Sequence, residues 1–432
     1  MILKVDKSNP SGTIIAPPSK SYTHRALFVA ALAQGTSVIK NALISRDTLA
    51  TIDICRKLGA KIQIDEGNVI VGGAETVSFL DTKLNADNSG TTMRISMFLA
   101  TLDLYKQMIT IRGDESLSQR DMGSGMRALR KTGVECTSNW WCAPMTIRGR
   151  MKGDTVVIES EKSSQPITGA LIASPLYSHG KTVGILGNAV SRPYIDATLV
   201  VMDKFGVSVE PITRYRRYIV PEQQYTNASF TVPGDFSGAA FSIAGSAMLG
   251  NNIVTKVQGS EMPQGDRAII SILEELGCEV TDNGGIKVWS PSEFSGGRFD
   301  LSNTPDLLPI VSVLALKSAG PIEIFNVKHA REKETDRIKV MARELRKFGL
   351  NVDERIDGMI IKKRGELKGA HLNSDRDHRA LMALSIGGMY VGECTISDAE
   401  YVDVSYPKFV EDMKGLGANM ELVEPQLVHR KN

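Results

Sequence analysis

Along this chain the pattern of apolar and polar positions recurs six times. Amphipathic runs such as Ile338 to Phe348 each close on a short phrase with glycine in fourth place: Arg56-Lys57-Leu58-Gly59-Ala60, Arg130-Lys131-Thr132-Gly133-Val134, Asp203-Lys204-Phe205-Gly206-Val207, Glu274-Glu275-Leu276-Gly277-Cys278, Arg346-Lys347-Phe348-Gly349-Leu350 and Lys414-Gly415-Leu416-Gly417-Ala418. Most phrases lead into alternating residues, as in Lys61-Ile62-Gln63-Ile64. Helical spacing, a closing glycine and then alternation predict a helix, a C-cap and a strand. The glycines recur every ~70 residues, and self-similarity at a fixed interval signals one supersecondary unit used repeatedly.

A second element keeps step with the first. Small or polar stretches open runs that are apolar on nearly every face: Ser19-Lys20-Ser21, Asn88-Ser89-Gly90-Thr91, Ser163-Ser164-Gln165, Gly234-Asp235-Phe236-Ser237, Thr304-Pro305-Asp306 and Asp375-Arg376-Asp377. Ala26 to Ala33, Ala239 to Leu249 and Leu307 to Leu316 are examples, and helices without a polar face are expected to be buried. Most then reach a glycine and a β-branched strand such as Gly35-Thr36-Ser37-Val38-Ile39. The unit reads as strand, buried helix, strand, surface helix, strand. Six units exceed what one core holds. The natural division is three plus three: a discontinuous first domain of residues 1–12 plus 234–432, and a second domain of residues 13–233.

Composition narrows the function. The 432 residues are 42% apolar and 23% charged, ordinary proportions for a globular chain. A net charge of +2 supplies no broad field for nucleic acid or an anionic membrane, so any anion must be held by local Lys and Arg. Met1 to Asp6 lack the basic start and apolar stretch of a signal peptide, and nothing approaches the ~20 apolar residues of a membrane span, so a cytoplasmic protein is expected. Cys55, Cys136, Cys142, Cys278 and Cys394 have no zinc or redox spacing and are expected to be reduced. The six histidines have no metal-ligand spacing either.

Candidate chemistry gathers where the buried helices begin. A helix N-terminus offers unpaired N–H groups and partial positive charge, which suits phosphate and carboxylate. Ser, Thr, Asn and Gly there also serve as plain caps, so no single one defines a site. Their company is more telling. Lys20 and Arg25 follow Pro17-Pro18, Arg120 follows the loop Gly113 to Gln119, Arg379 lies just behind Asp375 and Asp377, and Lys333 and Arg337 have the spacing of a shared helix face. Asp306 stands at the mouth of an apolar helix, as a cap or an acid. Glu334 is either part of a surface ion cluster worth little or a second acid in a cationic site. A condensation needs one proton donor and one acceptor.

The stretches Pro17 to Arg25, Asn88 to Arg94, Gly113 to Arg120, Ser163-Ser164-Gln165, Ser191-Arg192-Pro193-Tyr194-Ile195-Asp196, Lys333-Glu334-Thr335-Asp336-Arg337 and Asp377-His378-Arg379 resemble the EPSP synthase family in order and spacing. The likeness runs from near residue 10 to about residue 415. It implies an α/β fold, an inside-out α/β barrel of two domains, each of three βαβαββ repeats around a pseudo-threefold axis, with the active site in the interdomain cleft. It implies transfer of the enolpyruvyl group of phosphoenolpyruvate to the 5-hydroxyl of 3-phosphoshikimate through a tetrahedral adduct, with no metal or organic cofactor. By matching position, Lys20, Ser21, Arg25, Ser163, Ser164, Gln165, Ser191, Asp306 and Lys333 would hold 3-phosphoshikimate. Lys20, Gly90, Arg120, Gln165, Arg337 and Arg379 would hold phosphoenolpyruvate. Asp306 would accept the hydroxyl proton, Glu334 would protonate the methylene carbon, and Lys20 and Lys333 would assist. A monomer acting on small molecules, away from nucleic acid and membranes, is expected.

Three positions depart from the family pattern. Val404 stands where many relatives carry Lys, and Lys408 is too displaced to be taken as its substitute. Ile95 replaces a common Pro, and His329 replaces an Asn found in some members. Rival readings are the sister transferase acting on UDP-N-acetylglucosamine, a non-catalytic anion-binding scaffold and an RNA 3′-phosphate cyclase. The first commonly has Lys-Asn where Lys20-Ser21 stands, and often a reactive Cys on the loop matching Glu115 to Asp121, which has none here. The acids Asp306 and Glu334 count against the second, and the lack of a basic surface signal against the third.

Overall fold

In the computed structural model residues 1–424 are described; residues 425–432, the end of the expected first domain, lie outside the described residues. All six phrase glycines have positive φ, 107° at Gly59, 80° at Gly133, 81° at Gly206, 94° at Gly277, 98° at Gly349 and 93° at Gly417. A Cβ is disfavoured at such angles, so glycine closes each helix and redirects the chain. At Gly59 the closure is the Gly59 N–H donating to Arg56 O and the Ala60 N–H to Cys55 O, both 3.0 Å. The helix Arg46–Lys57 thereby gives way to the strand Lys61–Asp65, as Arg337–Lys347 does to Leu350–Arg355.

Among the described residues the strands form six four-stranded sheets. Each has one parallel step followed by two antiparallel ones. In one, Lys83–Asn85 lies parallel to Ile109–Arg112, then Cys142–Arg148 and Glu135–Asn139 follow antiparallel. Alternation alone pointed to one strand after each surface helix; among the described residues a two-strand hairpin follows five of the six, and the sixth helix, Phe409–Gly415, is followed by the one strand Met420–Val423, which pairs with the N-terminal strand Ile2–Val5. In the hairpin of Glu135–Asn139 with Cys142–Arg148 the turn carries no sequence marker. Trp140 and Trp141 make the bend at φ 49° and 66°, conformations usually announced by Asn or Gly.

The described residues divide into two units: Met1–Ala16 with Phe236–Val257 and residues 266–424, and Pro17–Asp235 with Gln258–Gly265. In the second unit the helices Lys20–Leu32, Gly90–Leu99 and Gln165–Ala173 are almost wholly buried, with Phe28, Phe98 and Leu171 in one core. In the first unit Phe236–Met248 and His378–Val391 fill the same role, with Phe241, Leu381 and Met389 in its core. Each fully buried side chain of this size contributes about 1.5–3 kcal/mol by leaving water. The run from Leu307 to Leu316 is not one helix. It splits into the 3-10 turn Pro305–Leu307, the α-helix Leu308–Val313 and the 3-10 turn Leu314–Lys317, with Pro305 and Pro309 removing two backbone donors. Among the described residues no helix is long and apolar enough to cross a membrane.

Candidate active site

In the first unit the site is organised by Arg337. The Asp336 carboxylate caps the helix Arg337–Lys347 by accepting from the Lys339 N–H at 3.0 Å. That cap decides where the helix starts, so Lys333 falls outside it, at the end of the 3-10 turn Lys328–Glu332. The shared helix face expected for Lys333 and Arg337 is therefore not formed. Both cations reach Asp306 all the same. Arg337 is only 1% exposed and donates to Asp306 Oδ1 at 2.6 Å, Glu334 Oε2 at 2.6 Å and Asp377 Oδ2 at 2.7 Å. Arg379 Nη2 is 3.3 Å from Asp306 Oδ2, and Lys333 Nζ is 3.9 Å from Oδ1. Asp377 also caps the helix His378–Val391, accepting from the N–H groups of Arg379 at 2.8 Å and Ala380 at 3.2 Å.

Burial alone would raise the pKa of the Asp306 carboxyl. Arg379, Lys333 and Arg337 together outweigh it and hold the group well below the usual carboxylate range. Burial likewise opposes charge on Arg337, and Asp377, Glu334 and Asp306 overturn that, raising its pKa. An ionised carboxylate so held can gain basicity when an arriving anion draws the cations away. Because one guanidinium serves both Asp306 and Glu334, a proton gained by either is felt by the other.

His329 lies buried in the same unit, and its Nε2 has no hydrogen-bond partner among the described residues. Burial, aided by Lys333, pushes its pKa down to about 3. The folded value lies below the unfolded one, so between roughly pH 6.5 and 3 the unfolded chain binds more protons and stability falls as pH falls. His329→Asn is expected to remove about 2 kcal/mol of the acid destabilisation seen between pH 7 and 5 in urea titrations. Equal acid sensitivity in both proteins would show that His329 is not held neutral.

The second unit gathers a different set. Lys20 opens the helix Lys20–Leu32 with Nζ 2.9 Å from Asp47 Oδ2. Arg25, 2% exposed, donates to Thr198 Oγ1 at 2.9 Å, Ser21 O at 2.8 Å, Thr168 Oγ1 at 3.2 Å and Tyr194 O at 3.0 Å. Every one of these acceptors is neutral, and burial pushes the Arg25 pKa down to about 10. A buried guanidinium balanced by neutral oxygens alone favours an incoming anion.

Gly90 begins the helix Gly90–Leu99, and a Cβ there would lie 2.7 Å from Arg94 Nη1, 3.4 Å from Arg120 Nη1 and 3.6 Å from Gln165 Oε1. The bare backbone is thus ringed by two guanidinium groups and an amide. Gln165 Oε1 accepts from Arg94 Nη1 at 2.7 Å while its Nε2 donates to Thr91 Oγ1 at 2.9 Å. Arg120 follows the 3-10 turn Leu117–Gln119 and donates from Nη2 to Asn88 Oδ1 at 3.2 Å and Ser116 Oγ at 3.3 Å. Ser163 Oγ accepts the Gln165 N–H at 3.2 Å, Ser164 is buried beside it, and Ser191 is buried at φ 54°, two residues before the helix Pro193–Lys204.

Asn88 and Asp377, named above only as residues of helix starts, join these sets, as do Asp47 and Arg94, which carried no site role in the sequence reading. Arg94 had a usable signal, a cation one turn beyond Gly90 in an otherwise apolar helix. Asp47 had none, since its partner is 27 positions away. Of the departing positions, Val404 is buried, Ile95 is buried within the helix Gly90–Leu99, and Lys408 is exposed at the start of the helix Phe409–Gly415.

The family model for EPSP synthase (3-phosphoshikimate 1-carboxyvinyltransferase) matches residues 5–413. The chain belongs to the EPSP synthase family. The 3-phosphoshikimate 1-carboxyvinyltransferase of Nitrosopumilus maritimus is 47% identical over 424 residues, covering 98% of this chain and 100% of the relative. That of Methanosphaera stadtmanae is 38% identical, covering 96% and 99%. The solved EPSP synthase of Acinetobacter baumannii superposes with a TM-score of 0.80 at 25% identity, covering 98% of this chain and 100% of that one. The enolpyruvyl transferase NikO of Streptomyces tendae shares the mixed α/β fold, with a TM-score of 0.78 at 15% identity, covering 98% and 99%.

Proposed function

We propose that this chain is a 3-phosphoshikimate 1-carboxyvinyltransferase. It moves the enolpyruvyl group of phosphoenolpyruvate onto the 5-hydroxyl of 3-phosphoshikimate, giving 5-O-(1-carboxyvinyl)-3-phosphoshikimate and phosphate, a step towards chorismate and the aromatic amino acids. The observation that carries the reading is Asp306 clasped by Arg337, Arg379 and Lys333, with Glu334 on the same guanidinium, in a chain of this family. The hydroxyl oxygen bonds to the central carbon of the enol as its proton passes to Asp306, and Glu334 delivers a proton to the methylene carbon. The tetrahedral adduct then returns a methyl proton to Glu334 as its carbon–oxygen bond to phosphate breaks, and the leaving phosphate takes the proton held by Asp306.

Lys20, Gly90, Arg120, Gln165, Arg337 and Arg379 hold phosphoenolpyruvate in this reading. Lys20, Ser21, Arg25, Ser163, Ser164, Gln165, Ser191, Asp306 and Lys333 hold 3-phosphoshikimate. Fixed cations aimed at developing charge stabilise the adduct more than the substrates. The accompanying fold is an inside-out α/β barrel with three βαβαββ repeats per domain, supported by the strand order that the sheets share. The protein acts as a cytoplasmic monomer on small molecules alone.

Phosphate release from 3-phosphoshikimate plus phosphoenolpyruvate, with UDP-N-acetylglucosamine as control acceptor, tests the reading. Release with the sugar nucleotide only would overturn it. Arg120→Ala is expected to weaken phosphoenolpyruvate about 30-fold, the loss of charge-assisted hydrogen bonds, while leaving 3-phosphoshikimate within about twofold. Equal losses of both ligands in calorimetry would reject its assignment.

A further inference from the structure

We propose that Asp114 is a positioning residue for phosphoenolpyruvate, acting through the Asn88 amide to fix where Arg120 presents its guanidinium. The inference rests on the enolpyruvyl-transfer reading above. Asn88 is 3% exposed and its amide lies between opposite charges. Its Nδ2 donates to Asp114 Oδ2 at 2.8 Å, and its Oδ1 accepts from Arg120 Nη2 at 3.2 Å. A carboxylate only accepts and a guanidinium only donates, so a single amide orientation satisfies both ends.

Asp114 is itself firmly placed. Its Oδ1 accepts the Leu117 N–H at 2.8 Å, at the start of the 3-10 turn Leu117–Gln119 that leads to Arg120. Its own N–H donates to Asp87 O at 2.8 Å. Arg46 spans Asp87 with contacts of 2.6 and 2.5 Å and reaches Asp114 Oδ2 at 3.4 Å. One carboxylate therefore grips the beginning of the turn directly and the cation at its end through an amide. A guanidinium restrained in advance surrenders less rotamer freedom when an anion arrives.

Plain electrostatics points the other way. Asp114 is a negative charge near a site for an anion, so its removal should by Coulomb attraction alone tighten phosphoenolpyruvate. The sign of the effect separates the two roles. Asp114→Asn keeps a carbonyl oxygen for the Leu117 N–H but turns a donor towards the donor of Asn88. The KM for phosphoenolpyruvate is expected to rise about tenfold, with kcat and the KM for 3-phosphoshikimate within about twofold. Asn88→Leu, of similar branched shape but without polar atoms, should give the same rise, and the double variant no more than either alone, because both cut one bridge.

An unchanged or lowered KM for phosphoenolpyruvate in Asp114→Asn, or additive losses in the double variant, would overturn the proposal. Should Asp114→Asn fail to fold, Asn88→Leu decides by itself, and an unmoved KM there overturns it equally. Absence of phosphate release by the unsubstituted protein sinks the enolpyruvyl reading and the bridge together. Normal release there, with unmoved KM in the variants, sinks the bridge alone.

Discussion

Asp306→Ala and Glu334→Ala are each expected to lower kcat at least ~100-fold while both substrates still bind measurably, the size typical of a lost general acid or base. Retained binding follows from the ion network. Removing either carboxylate leaves Arg337, Arg379 and Lys333 in place and less neutralised, so the pull on a phosphorylated anion is kept or strengthened. What disappears is a proton site at a reacting atom. Steady-state kinetics with both substrates varied should show the loss in kcat with KM for phosphoenolpyruvate steady or falling. Near-normal turnover in either variant would strip that residue of its role.

The parts of the fold legible in the residues were those set by local rules. A glycine forced to positive φ ends each surface helix whatever surrounds it, and a helix apolar on every face has nowhere to go but a core. The candidate site was legible as a proposal wherever a residue stands out by place, as Lys20, Gly90 and Asp306 do at the mouths of apolar elements. Three things escaped for physical reasons. The Trp140-Trp141 turn uses side chains that normally avoid positive φ, so no turn chemistry marks it. Asp336 wins the competition to cap its helix, and a capping residue inside a charged string cannot be picked by spacing alone. Partners such as Arg94 with Gln165, 71 positions apart, meet only because two buried helices pack together. A single chain read end to end holds no record of that meeting.

Arg337→Leu is expected to destabilise its unit by about 3–5 kcal/mol, the cost of leaving buried carboxylates without their cation. The leucine fills much of the stem, so the loss is electrostatic more than steric. Asp377 suffers most, being fully buried, whereas Asp306 and Glu334 each keep 15% of their side-chain surface and some water. For a unit of this size the melting transition should fall by roughly 10 °C at pH 7. The pH dependence carries the sharper test. In the unsubstituted protein the depressed Asp306 pKa contributes stability above the unfolded carboxylate range, and that contribution is lost as pH falls through its folded value. In the variant Asp306 keeps Arg379 and Lys333 and forfeits only the share of that contribution that Arg337 supplied, so less stability remains to be lost as pH falls. The gap between the two proteins should therefore narrow on acidification. Adding Asp377→Asn to Arg337→Leu should recover part of the loss at pH 7, because an amide oxygen still accepts from the Arg379 and Ala380 N–H groups without needing a cation. Melting curves that coincide at every pH, or a double variant no firmer than the single, would mean that these acids do not depend on Arg337 for their charge.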